Sequence, residues 1–326
     1  GQAVQPGNRG ESIVAAATDY SLLLDGWGTQ NVDKPWLSSE FDDQFVHTDG
    51  HDLTLNHGLL FRDDNDMAGS PDLVVDARGS TLTIMGDVLA TSANDGPSGA
   101  EVNDKIGIEG DASTVLKLYG DWSPQVVART GTNLNLSTLQ LLGGTAGTPQ
   151  TFEVGDASST TGVGADSFSV ATLDVGDTGD SAVVQLVNAY LNDNPYTGSA
   201  TDKDGEKLIV GTMNIGAGST LDVNGQFVEV SSTTLNIDPT GTLDLNSGVT
   251  LNPGDTVDFF VGLGDQTTQW TTVSGQVTDS SNAGLSFAPT YNGTEDETYW
   301  QAIPEPSTLA LAFVGGLLYL TRRRRR

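Results

Sequence analysis

The amino-acid sequence predicts an all-β chain, and three observations point to that class. Short segments that alternate apolar and polar residues recur along the 326 residues. The stretches between them are rich in Gly, Asp, Asn, Ser and Thr, which is the composition of turns. Related blocks of sequence also return at a fixed spacing, which indicates a repeated structural unit.

The clearest repeat consists of two blocks that return together. TMNI at residues 212–215 recurs 22 residues later as TLNI at 234–237. TLDVN at 220–224 recurs at the same offset of 22 as TLDLN at 242–246. Seven of these nine positions are identical, so the shared offset predicts short strands that come back to the same place once per repeat.

Three further segments share one pattern: apolar, any, apolar, small, Thr, Leu or Met, polar, apolar. They are LNLSTLQL (Leu134–Leu141), FSVATLDV (Phe168–Val175) and LIVGTMNI (Leu208–Ile215), at offsets of 34 and then 40. STLTI (Ser80–Ile84) and STVLKL (Ser113–Leu118) are looser relatives. Short strands with insertions at their corners predict a parallel β-helix, or solenoid, whose units bury their apolar faces on one another. A twisted antiparallel sandwich is the alternative all-β fold.

The ends of a solenoid require caps because open strand edges and core would otherwise be exposed. We assign residues 1–52 to an N-terminal cap and lead-in segment, which includes ESIVAAATDYSLLL (Glu11–Leu24). Residues 53–252 form the predicted β-helix, and 253–301 form a C-terminal β cap. In this cap VDFFVGLG, WTTVSGQVTD and LSFAPTYNG predict longer alternating strands. The remainder, 302–326, is a separate tail with a short hydrophobic helix.

The charge of the chain narrows the possible partners. It carries 43 acidic residues against 14 Lys and Arg, and five of those basic residues form the C-terminal run. The other nine leave the body with a net charge of −34. Phosphate binding requires clustered cations, so we predict no nucleic-acid partner. Divalent cations, or solubility in an extracellular medium, suit this charge better.

The tail, AIPEPSTLALAFVGGLLYLTRRRRR, combines three parts in a fixed order. Two prolines keep Pro304–Pro306 extended and accessible to a protease. The apolar run Leu309–Leu320 is 12 residues long and would span roughly 18 Å as a helix, against about 30 Å for a bilayer core. It is therefore better suited to a processed signal than to a permanent anchor. Five terminal arginines favour the cytoplasmic side of the inner membrane, which places residues 1–306 on the far side.

This order of Pro-Glu-Pro, apolar segment and basic terminus resembles the PEP-CTERM sorting signal of Gram-negative exported proteins. The resemblance implies export, recognition by an exosortase, removal of the tail and an association with extracellular polysaccharide. The body resembles autotransporter-like β-solenoid proteins in style. The residues assigned to processing are Pro304, Glu305, Pro306 and Ser307; those of the membrane segment are Leu309, Leu311, Phe313, Val314, Leu317, Leu318 and Leu320; and those of the cytoplasmic basic anchor are Arg322, Arg323, Arg324, Arg325 and Arg326.

Candidate metal ligands are few. His47, Asp49 and His51 have ligand side chains, but Asp49-Gly50 is a strong turn pair that would separate them. Asp202 and Asp204 could contact Ca²⁺, although no EF-hand loop is complete there. We therefore expect solvated turn residues at both places. The alternative at His47, Asp49 and His51 is a site for zinc or a similar metal, and the alternative at Asp202 and Asp204 is a weak Ca²⁺ contact.

From these observations we expect an exported, non-enzymatic protein of the cell surface or extracellular matrix, with a structural or adhesive role beside exopolysaccharide in a biofilm. A carbohydrate-active β-helix enzyme, either a glycoside hydrolase or a lyase, is one alternative, and a Ca²⁺-dependent adhesin is another. The dispersed basic residues argue against a lyase that acts on anionic glycans. No catalytic residue and no cofactor other than Ca²⁺ is proposed from the sequence.

Overall fold

The computed structural model describes residues 22–25, 44–48, 50–56, 58–63, 73–92, 106–123, 136–154, 167–177, 179–188, 206–225 and 228–304. Within these ranges nearly all regular structure is β-strand, and the one helix, α1 (Thr267–Thr271), has five residues. The all-β class is therefore confirmed. The predicted C-terminal hydrophobic helix lies outside the described residues.

The strands lengthen along the chain, from three to five residues near its start to eight to ten in several later strands. In chain order they are β1 Leu22–Asp25, β2 Gln44–His47, β3 Leu53–Leu55, β4 Leu59–Asp63, β5 Leu73–Asp76, β6 Thr81–Ile84, β7 Val88–Ser92, β8 Ile106–Glu109, β9 Val115–Leu118, β10 Trp122–Ser123, β11 Thr138–Leu141, β12 Gln150–Val154, β13 Ser167–Val175, β14 Val183–Asn188, β15 Glu206–Ile215, β16 Thr220–Asp222, β17 Val228–Ile237, β18 Thr242–Asp244, β19 Thr256–Leu263, β20 Gln276–Thr278, β21 Leu285–Asn292 and β22 Glu297–Pro304.

The described strands form three sheets. The nine-stranded sheet has the order β1-β4-β7-β10-β12-β14-β16-β18-β20, the ten-stranded sheet β21-β22-β19-β17-β15-β13-β11-β9-β6-β3, and the small sheet β2-β5-β8. From β2 to β10 the chain visits the three sheets in turn, and from β11 to β20 it alternates between the two large sheets. Two neighbouring parallel strands must be joined by a crossover connection. In this chain, the segment that connects two neighbouring strands of one sheet contains a strand of each of the other sheets that the chain visits.

In the ten-stranded sheet, residues that pair on neighbouring strands are separated in sequence by the offsets of the repeats. Leu139 pairs with Leu173 at an offset of 34 residues, Leu173 with Met213 at 40, and Met213 with Leu235 at 22. The second repeated block pairs at the same offset of 22 in the nine-stranded sheet. The predicted offsets are confirmed because each inward Leu or Met lies beside its equivalent on the next strand.

One apolar core joins the inward side chains of both large sheets. Leu173 and Met213 of the ten-stranded sheet and Val184 and Leu221 of the nine-stranded sheet all belong to it and are completely buried. Alternation along each strand leaves the polar positions on the outer faces. The outer faces therefore carry the hydrogen-bonding groups that a partner can reach.

The repeated Asn of TLDVN and TLDLN has a conformational role. Asn224 and Asn246 have φ angles of 51° and 42°, in the left-handed region that Asn tolerates better than most residues. The carboxylates of Asp222 and Asp244 accept the N–H of Asn224 and Asn246, at 2.8 and 3.2 Å. Each repeat thus ends in the same turn, which directs the chain away from the nine-stranded sheet.

The C-terminal end departs from the repeat but continues the sheets. β19 pairs in parallel with β17, and β20 pairs in parallel with β18, so parallel pairing extends beyond residue 253. The antiparallel hairpin of β21 and β22 then completes the ten-stranded sheet through pairing of β22 with β19. β21 is an edge strand of this sheet, and Pro289 lies within it; proline in sheets is usually found in edge strands.

The prediction of an alternating strand over WTTVSGQVTD (270–279) is wrong for its first half. Trp270 lies in helix α1, and strand is present at Gln276–Thr278. The Asp265 carboxylate accepts the amide and hydroxyl groups of Thr267, at 3.1 and 2.6 Å, and so holds the start of the helix. The helix in turn places the indole of Trp270 in the core, where it is 2 % exposed.

Candidate functional site

The strand that leads into the predicted sorting signal is folded up to Pro304. Ala302 in β22 is completely buried; its N–H donates to the carbonyl oxygen of Asp255, and its own carbonyl accepts the N–H of Gly254, both at 2.8 Å. Pro304 pairs with Leu285 of β21 and is partly buried. The first of the four residues assigned to processing therefore belongs to the ten-stranded sheet.

Aromatic side chains hold β22 against the rest of the C-terminal end. The ring of Trp300 stacks on that of Trp270 with centroids 4.8 Å apart and planes 16° apart, and Phe260 lies 5.7 Å from Trp270. Both indoles are 2 % exposed, and neither N–H has a hydrogen-bond partner in the described part of the chain. The contact between β22 and the rest of this end therefore consists of apolar and ring packing. The apolar area buried by such packing is large for tryptophans.

Two tyrosines bind carboxylates at the turn of the C-terminal hairpin. The hydroxyl of Tyr299 contacts Glu295 and lies 2.6 Å from Glu297 Oε2, and burial followed by these hydrogen bonds raises its pKa well above the usual range. Tyr291 donates to Asp296 Oδ1 at 2.6 Å, and this bond is the main cause of its raised pKa. Both phenols therefore remain protonated donors that order the turn.

A row of polar side chains crosses four strands on the outer face of the ten-stranded sheet. Gln140 donates to Asp174 Oδ2 at 3.0 Å, Asn214 donates to Asp174 Oδ1 at 2.8 Å, and Asn236 donates to Asn214 Oδ1 at 2.8 Å. We call Gln140, Asp174, Asn214 and Asn236 the amide row. They occupy the polar position of the repeated block, so the sequence contained the signal for this row although its hydrogen bonding was not predicted.

A second row runs beside the amide row, two residues earlier on each strand. Thr138, Thr172, Thr212 and Thr234 pair in register across β11, β13, β15 and β17, and we call them the threonine row. Residues two apart on a strand point to the same face, so the two rows form one surface. All four threonines are partly exposed.

The nine-stranded sheet has its own polar centre at Asp222. This carboxylate accepts the side-chain amides of Gln185, at 2.8 Å, and Asn246, at 3.0 and 3.1 Å. Burial is the largest influence on Asp222 and raises its pKa, although these hydrogen bonds act in the opposite direction. Asp222 is thus a structural acceptor that joins neighbouring strands and turns.

The predicted metal ligands are only partly described. His47 ends β2, and His51 follows the turn that contains Gly50, whose φ is 73°; the His51 N–H donates to the Thr48 carbonyl at 3.0 Å. His51 is exposed, and no group of three or more His, Asp or Glu side chains gathers within the described ranges. Asp49, Asp202 and Asp204 lie outside these ranges, so the metal predictions stay untested.

Most of the tail also lies outside the described residues. Glu305, Pro306 and Ser307, the apolar run and the arginine run all follow Pro304, the last described position. Among the helices of the described ranges, none has the length and apolarity needed to cross a bilayer.

Comparison with known proteins bears on the tail. Residues 302–326 match the PEP-CTERM protein-sorting motif, and the match begins inside β22. No curated protein and no solved structure matches the chain. The chain therefore carries a PEP-CTERM sorting signal at its C-terminus, which implies an exported protein that is recognised by an exosortase, a membrane protease.

Proposed function

We propose that this chain is a non-enzymatic, structural or adhesive protein that contacts extracellular polysaccharide through the outer face of its ten-stranded sheet. The observation that carries the proposal is the pair of in-register polar rows on that face, in a chain that also carries a C-terminal sorting signal for export. The mature chain would reside at the cell surface or in the matrix, after a precursor stage tethered to the inner membrane by the tail.

We also propose that the body of the chain is a parallel β-helix, an architecture that would support this role. The chain alternates between the same sheets, and each new strand lies beside its predecessor in register, at about 4.8 Å. Such stacking produces a continuous core and an extended regular surface. Rigid, extended bodies of this kind suit a scaffold that lies along a polymer.

The two polar rows have the chemistry of a glycan-binding surface. The hydroxyl groups of the threonine row and the exposed amide of Asn236 offer both donors and acceptors, which match the hydroxyl groups of sugars. Four strands at about 4.8 Å give an array about 14 Å long, enough for several contacts along one polymer. The net charge of −29 repels polyanions, so an uncharged polysaccharide is the favoured partner.

The carboxylate of the amide row, Asp174, and the carboxylate of Asp222 on the nine-stranded sheet are both engaged in structural hydrogen bonds. Asp174 accepts hydrogen bonds from Gln140 and Asn214, and Asp222 accepts them from Gln185 and Asn246. A general acid or base needs an oxygen within reach of the substrate proton that it transfers. These contacts support a binding role for the surface over a catalytic one.

Binding and cleavage are separated by one experiment on a panel of neutral and acidic polysaccharides. We expect retention of the purified protein on a neutral polymer without release of reducing ends. Thr212→Glu, in the threonine row, should weaken retention about tenfold through loss of roughly one hydrogen bond and its contacts. Thr220→Glu makes the same change on the nine-stranded sheet and should leave retention unchanged.

Other outcomes would support the alternatives. Release of reducing ends would indicate a carbohydrate-active enzyme and contradict the binding role. Retention that is abolished by a chelator and restored by Ca²⁺ would indicate a Ca²⁺-dependent adhesin. Equal loss of retention in Thr212→Glu and Thr220→Glu would show that the outer face of the ten-stranded sheet is not the contact surface.

A further inference from the structure

We infer that the protease cut which removes the tail falls on the C-terminal side of Pro304, so that all of β22 stays with the exported body. This inference rests on the proposed removal of the tail and adds a position for the cut. The sorting motif begins at residue 302, two residues before the strand ends, so the motif and the folded sheet overlap.

The overlap protects the first residues of the motif. Both backbone groups of Ala302 are hydrogen-bonded to Gly254 and Asp255, and Ile303 and Pro304 pair with Ser286 and Leu285 of β21. β22 also has a neighbouring strand on each side, β19 and β21. Proteases cut segments that can leave their own structure and bind in an extended form. Ala302 and Ile303 do not meet that condition while the hairpin is folded.

Opening the strand would require more than the loss of backbone pairing. Ala302 is completely buried, and Trp300, two residues earlier, stacks on Trp270 in the core. The side chain of Gln301 also donates to the Gly254 carbonyl at 3.1 Å. Segments with buried side chains and several hydrogen bonds open rarely, so the cut is directed to residues beyond the sheet.

The segment between the end of β22 and the apolar run, where the protease would have to bind, is short. Four residues, Glu305 to Thr308, separate β22 from the apolar run that begins at Leu309. Fully extended, four residues reach at most about 14 Å. While the apolar run is in the membrane, the end of the ten-stranded sheet is therefore held within that distance of it, and the cut occurs on a body that is already close to the membrane surface.

The position of the cut can be read from the mass of the processed protein. The full chain is expressed in a Gram-negative host that has an exosortase, and the exported form is analysed by intact mass spectrometry. A product whose last residue is Pro304 or any later residue before Arg326 supports the inference. A product that ends at Ile303 or earlier overturns it. Recovery of the uncut chain alone would instead refute the proposed removal of the tail.

The contribution of folding is tested by two variants outside the sorting motif. Phe287 pairs with Ala302 and packs against the core, whereas Ser286 precedes it and points to the opposite face. The detergent-solubilised full chain is digested with proteinase K as a broad-specificity probe. We expect Phe287→Asp to be trimmed into β22 about tenfold faster than the unmodified chain, and Ser286→Asp to match the unmodified chain.

Equal trimming of Phe287→Asp and Ser286→Asp would show that the hairpin does not protect the motif. Hydrogen exchange on the unmodified chain gives an independent reading that does not depend on how the variants fold. Slow exchange of the Gly254 and Ala302 amides is expected, because each donates a backbone hydrogen bond. Exchange at the rate of an unstructured peptide would overturn the inference.

Discussion

The repeated middle of the molecule and its C-terminal end are held together by different contacts. In β13, β15 and β17 each inward side chain lies beside its equivalent on the next strand, as Leu173, Met213 and Leu235 do. At the C-terminal end there is no repeat, and the stacked rings of Trp270 and Trp300 join helix α1 to β22.

Because of this difference, the structure of the middle region is easier to predict from the sequence than that of the C-terminal end. In a repeat region, the stability comes from many equivalent contacts between neighbouring strands. The C-terminal end depends on two large aromatic residues, whose partners are distant in sequence. We therefore expect a single substitution to affect the end more locally and more severely than the middle.

The largest expected effect is that of Trp300→Ala. Removing this buried ring should lower the free energy of unfolding by about 3–5 kcal/mol, because the neighbouring Trp270 loses its stacking surface. Chemical denaturation measures the loss, and hydrogen exchange locates it. Tyr291→Ala, a change at an exposed aromatic of the same hairpin, is the control and should cost less than about 1 kcal/mol. Equal loss of protection in β13 to β17 would show that the two regions unfold as one.

A smaller effect is expected at the repeated turn of the middle region. Asn246 has a φ of 42° and donates its side-chain amide to Asp222. Asn246→Ala should cost about 1–3 kcal/mol, because it loses the hydrogen bonds and places Ala in a left-handed conformation. Asn246→Gly retains the conformational freedom and loses only the side chain, so it should cost less. Thermal melting compares the two, and equal costs would mean that backbone conformation is unimportant at this turn.

The smallest effect is a difference in pH dependence between two aspartates. Burial raises the pKa of Asp222 above 3.8, so its contribution to stability is present at low pH and is lost as pH rises through that raised pKa. Hydrogen bonds from Ser113 lower the pKa of Asp111 to about 2, so its contribution is present above pH 3.8 and is lost as pH falls towards 2.

Denaturant midpoints measured from neutral pH down to about pH 2 test these opposite signs. Asp222→Asn should reduce the decline of stability with rising pH, and Asp111→Asn should reduce the decline with falling pH. Curves that differ from that of the unmodified chain by a constant offset alone would show that neither carboxylate titrates differently in the folded state.

The strand register of the middle region could be predicted from the sequence, because the offset between two repeats equals the offset between the paired residues. Leu139, Leu173, Met213 and Leu235 pair in this order on neighbouring strands, at the predicted offsets of 34, 40 and 22 residues. These offsets follow because a buried side chain on one strand packs against a buried side chain on the next. The same alignment placed the polar residues Asp174 and Asn214 side by side. Their hydrogen bonds could have been inferred from the pairing of an acceptor with an amide at one register position.

The C-terminal end was harder to predict because its determining contacts are tertiary. The alternation in WTTVSGQVTD suggests a strand, but Asp265 starts a helix, and burial of Trp270 against Trp300 stabilises it. Gln150 was also missed: it is buried, accepts the Gly143 N–H at 2.9 Å and donates to the Leu118 carbonyl at 3.3 Å. A lone Gln gives no sign in sequence that it will bridge neighbouring strands.

Pro289 in the edge strand β21 bears on how such chains behave when crowded together. An exposed edge normally invites a strand of another molecule to add to the sheet, and this is a common route to fibres. An imino residue cannot donate there, which interrupts the row of donors that an incoming strand would need. Copies packed side by side are therefore not expected to join by adding a strand to the sheet at β21.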